Sequence, residues 1–246
     1  MMPIIYHTGL TSPPSIDMDG FEISYCPVLK VTYVSSNRPL DICDLLKTNP
    51  IILMMSKNAV IGLEKWLTEF GLKPDFFSNN VFWTVGDRTH ACLHNILGIH
   101  SFFPEEMTGK GVTCALQKHN HSRVLLISSQ DPRKEFIEGL SSAGINFFHF
   151  PVYKISYKDG ADFSTNFKNS KSNYLIITSP SAVGGIMQSL AFSDLSKIQC
   201  RIISIGPTTC EAIRQNGGSV FLESNVQNID VLYDNLENLI FKSSHP

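Results

Sequence analysis

Short apolar runs alternate with segments of helical periodicity along this chain. Residues 51–55 (IILMM) and 174–178 (YLIIT) are continuous, largely apolar runs, typical of strands covered on both faces of a parallel sheet. Each run is followed by apolar side chains at helical spacing: Val60, Leu63, Leu67 and Phe70 after the first, and Val183, Ile186, Met187 and Leu190 after the second. This alternation predicts an α/β fold with parallel sheets.

The same series of segments occurs twice. SKNAV at 56–60 matches SPSAV at 179–183, TVGDRT at 84–89 matches SIGPTT at 204–209, and GFEISYCPVLKVTY at 20–33 matches GINFFHFPVYKISY at 144–157. The order is unchanged and the three displacements are nearly equal. A repeat of this length indicates two duplicated domains rather than a solenoid.

Two extended segments, VTYVSSNR at 31–38 and KISYKDGAD at 154–162, are the predicted crossings between the domains. One domain is therefore expected to comprise residues 1–34 plus 159–246, and the other residues 35–158. In the second copy a helix is expected between the first two strands. The first copy has prolines in its short equivalent, GLTSPPSIDMDG, and leaves room for little more than a turn.

Composition narrows the function class. Apolar residues make up 43% of the 246 residues and charged residues 17%, with a formal net charge of −2, which indicates a globular protein without a basic surface for nucleic acid. Six scattered cysteines without a Cys-x-x-Cys pair favour reduced thiols. The segment MMPIIYHTG does not resemble a signal peptide, and the apolar runs are too short to span a bilayer. We expect a cytoplasmic protein that binds neither membrane nor nucleic acid.

Two helix starts offer anion-binding chemistry at the ends of predicted strands. In IGPTT, Gly206 permits a tight turn, Pro207 suits the approach to a helix, and Thr208 can cap that helix in a capping-box pattern with Glu211. Helix N-termini also favour carboxylates and phosphates, so capping and ligand binding both remain open here. The same holds for SPSAV, where either of its serines can cap the helix.

Positions that differ between the copies are candidates for a site. Tyr153 in PVYKI stands where the first copy has Leu29 in PVLKV, although a tyrosine of the core would give the same pattern. Arg133 and Lys134 stand at a predicted helix start, and the equivalent segment of the first copy carries no cation. The two cations either bind a polyanion or belong to a solvated helix face. Zinc-protease, nucleophile-elbow, phosphate-loop and dinucleotide motifs are missing from the sequence.

The segments TSPSAV at 178–183, IGPTTCEAI at 205–213 and PVYKI at 151–155, set in two α/β copies, resemble the uroporphyrinogen-III synthase family. The resemblance covers nearly the whole chain and is most specific from residue 123 to residue 236. It implies two Rossmann-like domains joined by a two-stranded β linker, with the active site in the cleft between them.

The resemblance also implies a reaction. Linear hydroxymethylbilane loses its hydroxyl as water, and ring closure through a spiro intermediate gives uroporphyrinogen III with ring D inverted, without metal or cofactor. Tyr153 matches the family's candidate acid. Positions that match substrate-binding residues are Ser179, Pro180, Ser181, Ala182, Gly206, Thr208 and Thr209, with weaker matches at Ser56, Asn58, Thr89 and Arg133. A monomer suffices for this chemistry.

The chain departs from the family's usual pattern near its first strand. A Thr-Arg pair and a full helix usually follow that strand, whereas YHTGLTSPPSIDMDG at 6–20 contains neither. SKNAV also lacks the proline of SPSAV. Because duplicated α/β lobes around a cleft suit binding as well as catalysis, the alternative function is a non-catalytic two-lobed binding protein or a degenerate synthase-like regulator that binds a polycarboxylate in the cleft.

Overall fold

The computed structural model describes residues 2–15, 18–35, 37–48, 50–158, 161–224 and 228–244. Five residues of the predicted crossings and of the proline-rich segment lie outside this description. They are Ile16, Asp17, Ser36, Asp159 and Gly160. The strands are β1 (Ile4–His7), β2 (Glu22–Tyr25), β3 (Leu29–Tyr33), β4 (Ile51–Met54), β5 (Phe82–Thr84), β6 (Arg123–Ser129), β7 (Asn146–Tyr157), β8 (Tyr174–Ile177), β9 (Arg201–Ser204) and β10 (Val220–Glu223).

Helices lie between most of these strands. They are α1 (Pro39–Leu46), α2 (Lys57–Glu69), α3 (Asp87–Leu97), α4 (Gly109–Lys118), α5 (Lys134–Ser142), α6 (Ala161–Asn166), α7 (Pro180–Leu190), α8 (Pro207–Gln215) and α9 (Ile229–Ser244), with short 3₁₀ turns at Pro74–Phe77 and Leu195–Lys197. The segments 8–15 and 18–21 between β1 and β2 form no helix, whereas α5 separates the equivalent β6 and β7. The lack of a helix between β1 and β2 agrees with the expectation from the prolines, and the helix between β6 and β7 was expected for the second copy.

The chain divides into two compact units. The terminal unit comprises Met1–Lys30 and Ser156–Pro246, and the middle unit comprises Val31–Ile155. The sheet of the terminal unit has the order β10-β9-β8-β1-β2, and every neighbouring pair in it is parallel.

The second sheet has the order β3-β7-β6-β4-β5, and β7, β6, β4 and β5 are parallel to one another. β3 runs antiparallel to β7. Two hydrogen bonds indicate this direction: Val34 N–H donates to the carbonyl of Val152, and Lys158 N–H donates to the carbonyl of Val28. The predicted α/β class with parallel sheets is confirmed.

The duplication is visible in the order of the strands. β6, β4 and β5 of the second sheet correspond to β1, β8 and β9 of the first. The long strand β7 corresponds to β2 and β3 together, which are separate strands on either side of Pro27. The boundary between the two units falls inside both β3 and β7.

Helices pack closely on these strands and bury the predicted apolar faces. Every residue of β1, β4 and β8 is buried, as expected for strands covered on both faces. Gly62 of α2 lies so close to β7 that a Cβ there would sit 2.8 Å from the carbonyl oxygen of Val152. Gly185 of α7 makes the equivalent approach to the carbonyl of Val28, also 2.8 Å. The copies therefore share a helix–strand contact that only glycine allows.

Candidate functional site

The helix after β8 begins at a serine cap. Ser179 has extended backbone and its Oγ accepts a hydrogen bond from Ala182 N–H at 3.3 Å, while Pro180 occupies the first helical position. Of the two serines that were candidates for the cap, Ser179 takes this role. Ser181 is exposed in the first turn, and Ala182 is completely buried. Pro180 has no N–H, so the N–H of Ser181 is the first one of this helix without an intrahelical acceptor.

The helix after β9 begins two residues earlier than predicted. Gly206 is the N-cap, Pro207 the first helical residue, and no side chain caps this end. The predicted capping box of Thr208 with Glu211 is therefore wrong. Because proline is tolerated at the first helical position, the helix extends back to it and Thr208 lies inside the first turn. Its side chain is exposed, whereas Thr209 is 3% exposed.

A hydroxyl at the end of β9 organises this corner instead. Ser204 is completely buried, and its Oγ donates to the carbonyl of Gly206 at 2.8 Å and accepts from the Gly206 N–H at 3.3 Å. Thr84 at the end of β5 makes the equivalent bond to the carbonyl of Gly86 at 3.3 Å. Neither hydroxyl was predicted from the sequence. Their signal is that a serine or threonine stands two residues before the glycine in both copies.

The corner of the middle unit differs in charge from the corner of the terminal unit. At the start of α3 the carboxylate of Asp87 accepts a hydrogen bond from Arg88 N–H at 2.6 Å. In α8 the equivalent position is Pro207, which brings no charge. One N–H of α3 is thus already paired with a carboxylate of the chain itself. The α8 corner is the better candidate for an external carboxylate.

A second serine cap contacts the candidate acid. Ser56 caps α2 by accepting from Ala59 N–H at 3.2 Å, and its Oγ lies 3.0 Å from the phenol oxygen of Tyr153. Asn58 is half-buried in the first turn of α2, where its Oδ1 accepts from the hydroxyl of Tyr33 at 3.5 Å. Burial raises the pKa of Tyr33, and the nearby Tyr153 phenol adds to the shift.

Tyr153 belongs to the core of the middle unit as well as to this cluster. The residue is 7% exposed, and its ring packs within the apolar core while its hydroxyl bonds to Ser56. Its carbonyl accepts from Gln130 N–H at 2.7 Å, just beyond the end of β6. An open cavity of about 530 Å³ beside this segment is lined by Val34, Ser35, Gln130 and Pro151. Leu29, the equivalent residue of the terminal unit, is 5% exposed in an apolar core.

The remaining predicted residues occupy other helix starts. Thr89 lies in the first turn of α3 and is 4% exposed, so little of its surface faces solvent. Arg133 is the N-cap of α5 and Lys134 its first residue; both are exposed, and Lys134 pairs with Glu138 at 3.5 Å. Ser56, Asn58 and Tyr153 are thus brought together with Tyr33. Tyr33 was missed because a tyrosine occurs at the same position in both copies, at 33 and 157.

A buried histidine is the last residue of the first strand. His7 is completely buried, its Nδ1 lies 3.0 Å from the hydroxyl of Tyr233, and its Nε2 lies 3.0 Å from the carbonyl oxygen of Thr11. Because a carbonyl only accepts, Nε2 carries the proton and Nδ1 accepts from Tyr233. Burial lowers the pKa of His7 to about 4, so the imidazole is neutral at pH 7.

The described part of the chain contains neither a metal-binding cluster nor a membrane-spanning helix. Within it, no group of three or more His, Cys, Asp or Glu side chains is arranged to hold a metal ion. None of the helices in that part is both long and apolar enough to cross a membrane.

Comparison with known proteins identifies the family. The sequence model of a family described as "Uroporphyrinogen-III synthase HemD" matches residues 15–234. The "Porphyrin biosynthesis protein HemD" of Ruminiclostridium josui is 24% identical over 201 residues, which cover 80% of this chain. The chain spans only 40% of the length of that relative.

Solved structures show the same fold. The uroporphyrinogen-III synthetase of Helicobacter pylori is 18% identical, with a TM-score of 0.67 over 97% of this chain and 100% of the other. A mutant uroporphyrinogen III synthase of Thermus thermophilus is 13% identical, with a TM-score of 0.62 over 98% of this chain and 99% of the other. The resemblance found in the sequence motifs is thereby confirmed, and the chain belongs to the uroporphyrinogen-III synthase family, a family of enzymes in porphyrin biosynthesis.

Proposed function

We propose that this chain is a lyase that cyclises hydroxymethylbilane to uroporphyrinogen III, with loss of water and inversion of ring D. The observation that supports this most directly is the Tyr153 hydroxyl, which bonds to Ser56 at the N-terminus of α2 within the middle unit. A phenol in this position can supply a proton to a departing hydroxyl. Its repeat equivalent, Leu29, has no such group.

In the proposed reaction Tyr153 donates its proton to the hydroxyl of the substrate, and the C–O bond breaks to release water. The conjugated cation that remains is attacked by the substituted carbon of ring D. The resulting spiro intermediate fragments and recloses with ring D inverted. The proton released when the last pyrrole regains aromaticity restores the phenol, so the enzyme ends in its initial state.

The substrate is a flexible polycarboxylate, so its binding contributes by holding a folded pose. Helix starts at the carboxyl edge of the sheet in the terminal unit are the proposed binding elements. They comprise Ser179, Pro180, Ser181 and Ala182 of the α7 start and Gly206, Thr208 and Thr209 of the α8 start. The exposed hydroxyls of Ser181 and Thr208 and the N–H groups of their turns suit acetate and propionate arms.

Asn58, Thr89 and Arg133 are the proposed contacts of the middle unit. Arg133 is exposed at the start of α5 and can pair with a carboxylate. We further propose that the protein acts in the cytoplasm as a monomer and without metal or cofactor. The absence of disulfides among its six cysteines suits that compartment.

An isomer assay tests the proposed function. Hydroxymethylbilane is generated enzymatically and, without the protein, closes spontaneously to the type I isomer. In the presence of the parent protein, hydroxymethylbilane should close to the type III isomer instead. Tyr153→Phe should lower the rate of type III formation by about 10²-fold, which is typical for loss of a positioned acid. Circular dichroism of this variant checks that the fold is intact.

Formation of the type I isomer alone would refute the enzyme function. It would leave a binding protein, which should still be stabilised against heat by a linear tetrapyrrole. An unchanged rate in Tyr153→Phe would remove Tyr153 from the mechanism while leaving the activity itself in place.

A further inference from the structure

We propose that Ser56 is a positioning residue for Tyr153, whose hydroxyl it orients by donating a hydrogen bond to the phenol oxygen. This inference rests on the proposed function, because it assigns Ser56 to the acid rather than to a carboxylate of the substrate. The contact that carries it is the 3.0 Å distance between Ser56 Oγ and the phenol oxygen of Tyr153.

The 3.0 Å distance fits either direction of this hydrogen bond, and the proposed role of Tyr153 as the acid requires that Ser56 donates. Ser56 Oγ already accepts from Ala59 N–H at 3.2 Å, and the serine hydroxyl has one proton to donate. When that proton points at Tyr153, the phenol proton is left for the substrate. In the reverse direction the phenol proton would be directed at Ser56 rather than at the substrate.

The bond also links the phenol to the N-terminus of α2. Ser56 is the N-cap of this helix of thirteen residues, Lys57–Glu69, whose N-terminus carries partial positive charge. As Tyr153 gives up its proton, the bond from Ser56 becomes a bond to an anion and strengthens. Ser56 therefore stabilises the phenolate more than the phenol, which is the condition for an effect on the rate.

The groups that face this pair do not compete for the same role. Tyr33 on β3 has a pKa raised by burial and stays neutral at pH 7. Cys92 on α3 also has a pKa raised by burial, which Lys57 on α2 partly offsets. Lys57 is exposed at the first position of the helix, so its charge adds to the positive end of α2.

The duplicated domain supplies a matched control. Ser179 caps α7 through Ala182 N–H at 3.3 Å, in the same way as Ser56 caps α2. The residue equivalent to Tyr153 in that copy is Leu29, which offers no hydroxyl. Ser179→Ala thus removes a cap of the same kind in the copy that has leucine instead of tyrosine at the position of the candidate acid.

A double-mutant cycle with Tyr153→Phe tests the catalytic part. Ser56→Ala should lower kcat about fivefold, the value expected for one hydrogen bond, and leave KM within about twofold. In the Tyr153→Phe background the same substitution should change kcat less than about twofold, because the group it acts through is gone. Ser56→Thr keeps both the cap and the hydroxyl and should restore kcat. Ser179→Ala should have the same effect in both backgrounds.

A vibrational measurement tests the hydrogen bond without requiring activity. Both the parent and the Tyr153→Phe protein are prepared with ring-labelled tyrosine. Subtracting the infrared spectrum of Tyr153→Phe from that of the parent isolates the C–O stretching band of Tyr153. This band should shift in Ser56→Ala and stay in place in Ser56→Thr and Ser179→Ala. An unshifted band in Ser56→Ala, or equal kcat effects of Ser56→Ala in both backgrounds, would overturn the proposal. A parent protein that forms no type III isomer would instead refute the proposed function, with the band still reporting whether the bond exists.

Discussion

Lowering the pH should destabilise the terminal unit through one side chain, His7. Its imidazole is completely buried and neutral, with Nδ1 3.0 Å from the Tyr233 hydroxyl and Nε2 3.0 Å from the Thr11 carbonyl oxygen. Burial lowers the pKa of His7 from 6.5 to about 4. In the unfolded chain the same imidazole titrates at its ordinary value.

The size of the effect follows from the two pKa values. Between pH 6.5 and pH 4 the unfolded state binds a proton that the folded state does not, so the free energy of unfolding falls as the pH falls. The contribution of neutral His7 is fully present above pH 6.5 and declines by about 1.4 kcal/mol per pH unit below it. At pH 4 the loss amounts to about 3 kcal/mol, a large part of the stability of an ordinary domain.

The two units can be followed separately. Both tryptophans, Trp66 and Trp83, lie in the middle unit, so tryptophan fluorescence reports on that unit. Hydrogen exchange of the strands β1 and β8, measured by mass spectrometry between pH 4.5 and 7, reports on the terminal unit. After correction for intrinsic exchange rates, the free energy of opening of these strands should fall with pH in the parent protein.

Two variants decide whether His7 is responsible. His7→Gln should be less stable at pH 7. The slope of its free energy of unfolding against pH should be smaller than that of the parent by the contribution of about one proton. Tyr233→Phe removes the donor to Nδ1, so it should be destabilised yet keep the slope, because the imidazole stays buried. Equal slopes for parent and His7→Gln between pH 4.5 and 6.5 would refute the reasoning.

Two further predictions concern backbone and corner geometry, each measured by urea denaturation. Gly62→Ala should destabilise the protein by about 2 kcal/mol or more, because the new Cβ would lie 2.8 Å from the carbonyl oxygen of Val152. Gly139→Ala, whose Cβ would meet only Thr113 Oγ1 at 3.9 Å, should stabilise it by about 0.5 kcal/mol or more, and a loss of stability there would contradict the packing argument. Ser204→Ala should cost about 1 to 2 kcal/mol because the buried hydroxyl bonds to Gly206, while Thr208→Ala should stay within about 0.5 kcal/mol. The opposite order would restore Thr208 as the cap of α8.

The local pattern of the sequence was enough to predict the fold class and the duplication. Continuous apolar runs such as residues 51–55 became buried strands because a strand with helices on both faces has no solvent-exposed side. Helices α3 and α8 are followed by glycines in the left-handed conformation, Gly98 with φ 68° and Gly217 with φ 78°. Side-chain periodicity and glycine conformation are properties of adjacent residues, so the sequence alone determines them.

The candidate site was only partly predictable. Comparison of the copies singled out Tyr153, because it is a position where the copies differ. The same comparison passed over Tyr33, whose tyrosine both copies share. The capping-box pattern assigned the cap of α8 to Thr208 rather than to the corner at Gly206. A repeat reports what changed between the copies, and it contains no information on which shared residue meets a changed one.

Only the tertiary structure decided which remote side chains meet. Ser56 and Tyr153 are 97 residues apart in sequence, and His7 and Tyr233 are 226 apart. Each pair is brought together by the packing of helices on sheets whose neighbours are not consecutive in the chain, such as β6 between β4 and β7. The sequence by itself determined the elements and their repetition, since these depend on neighbouring residues. The hydrogen bond on Tyr153 and the neutral state of His7 depend on burial and distance, which exist only once the chain has folded.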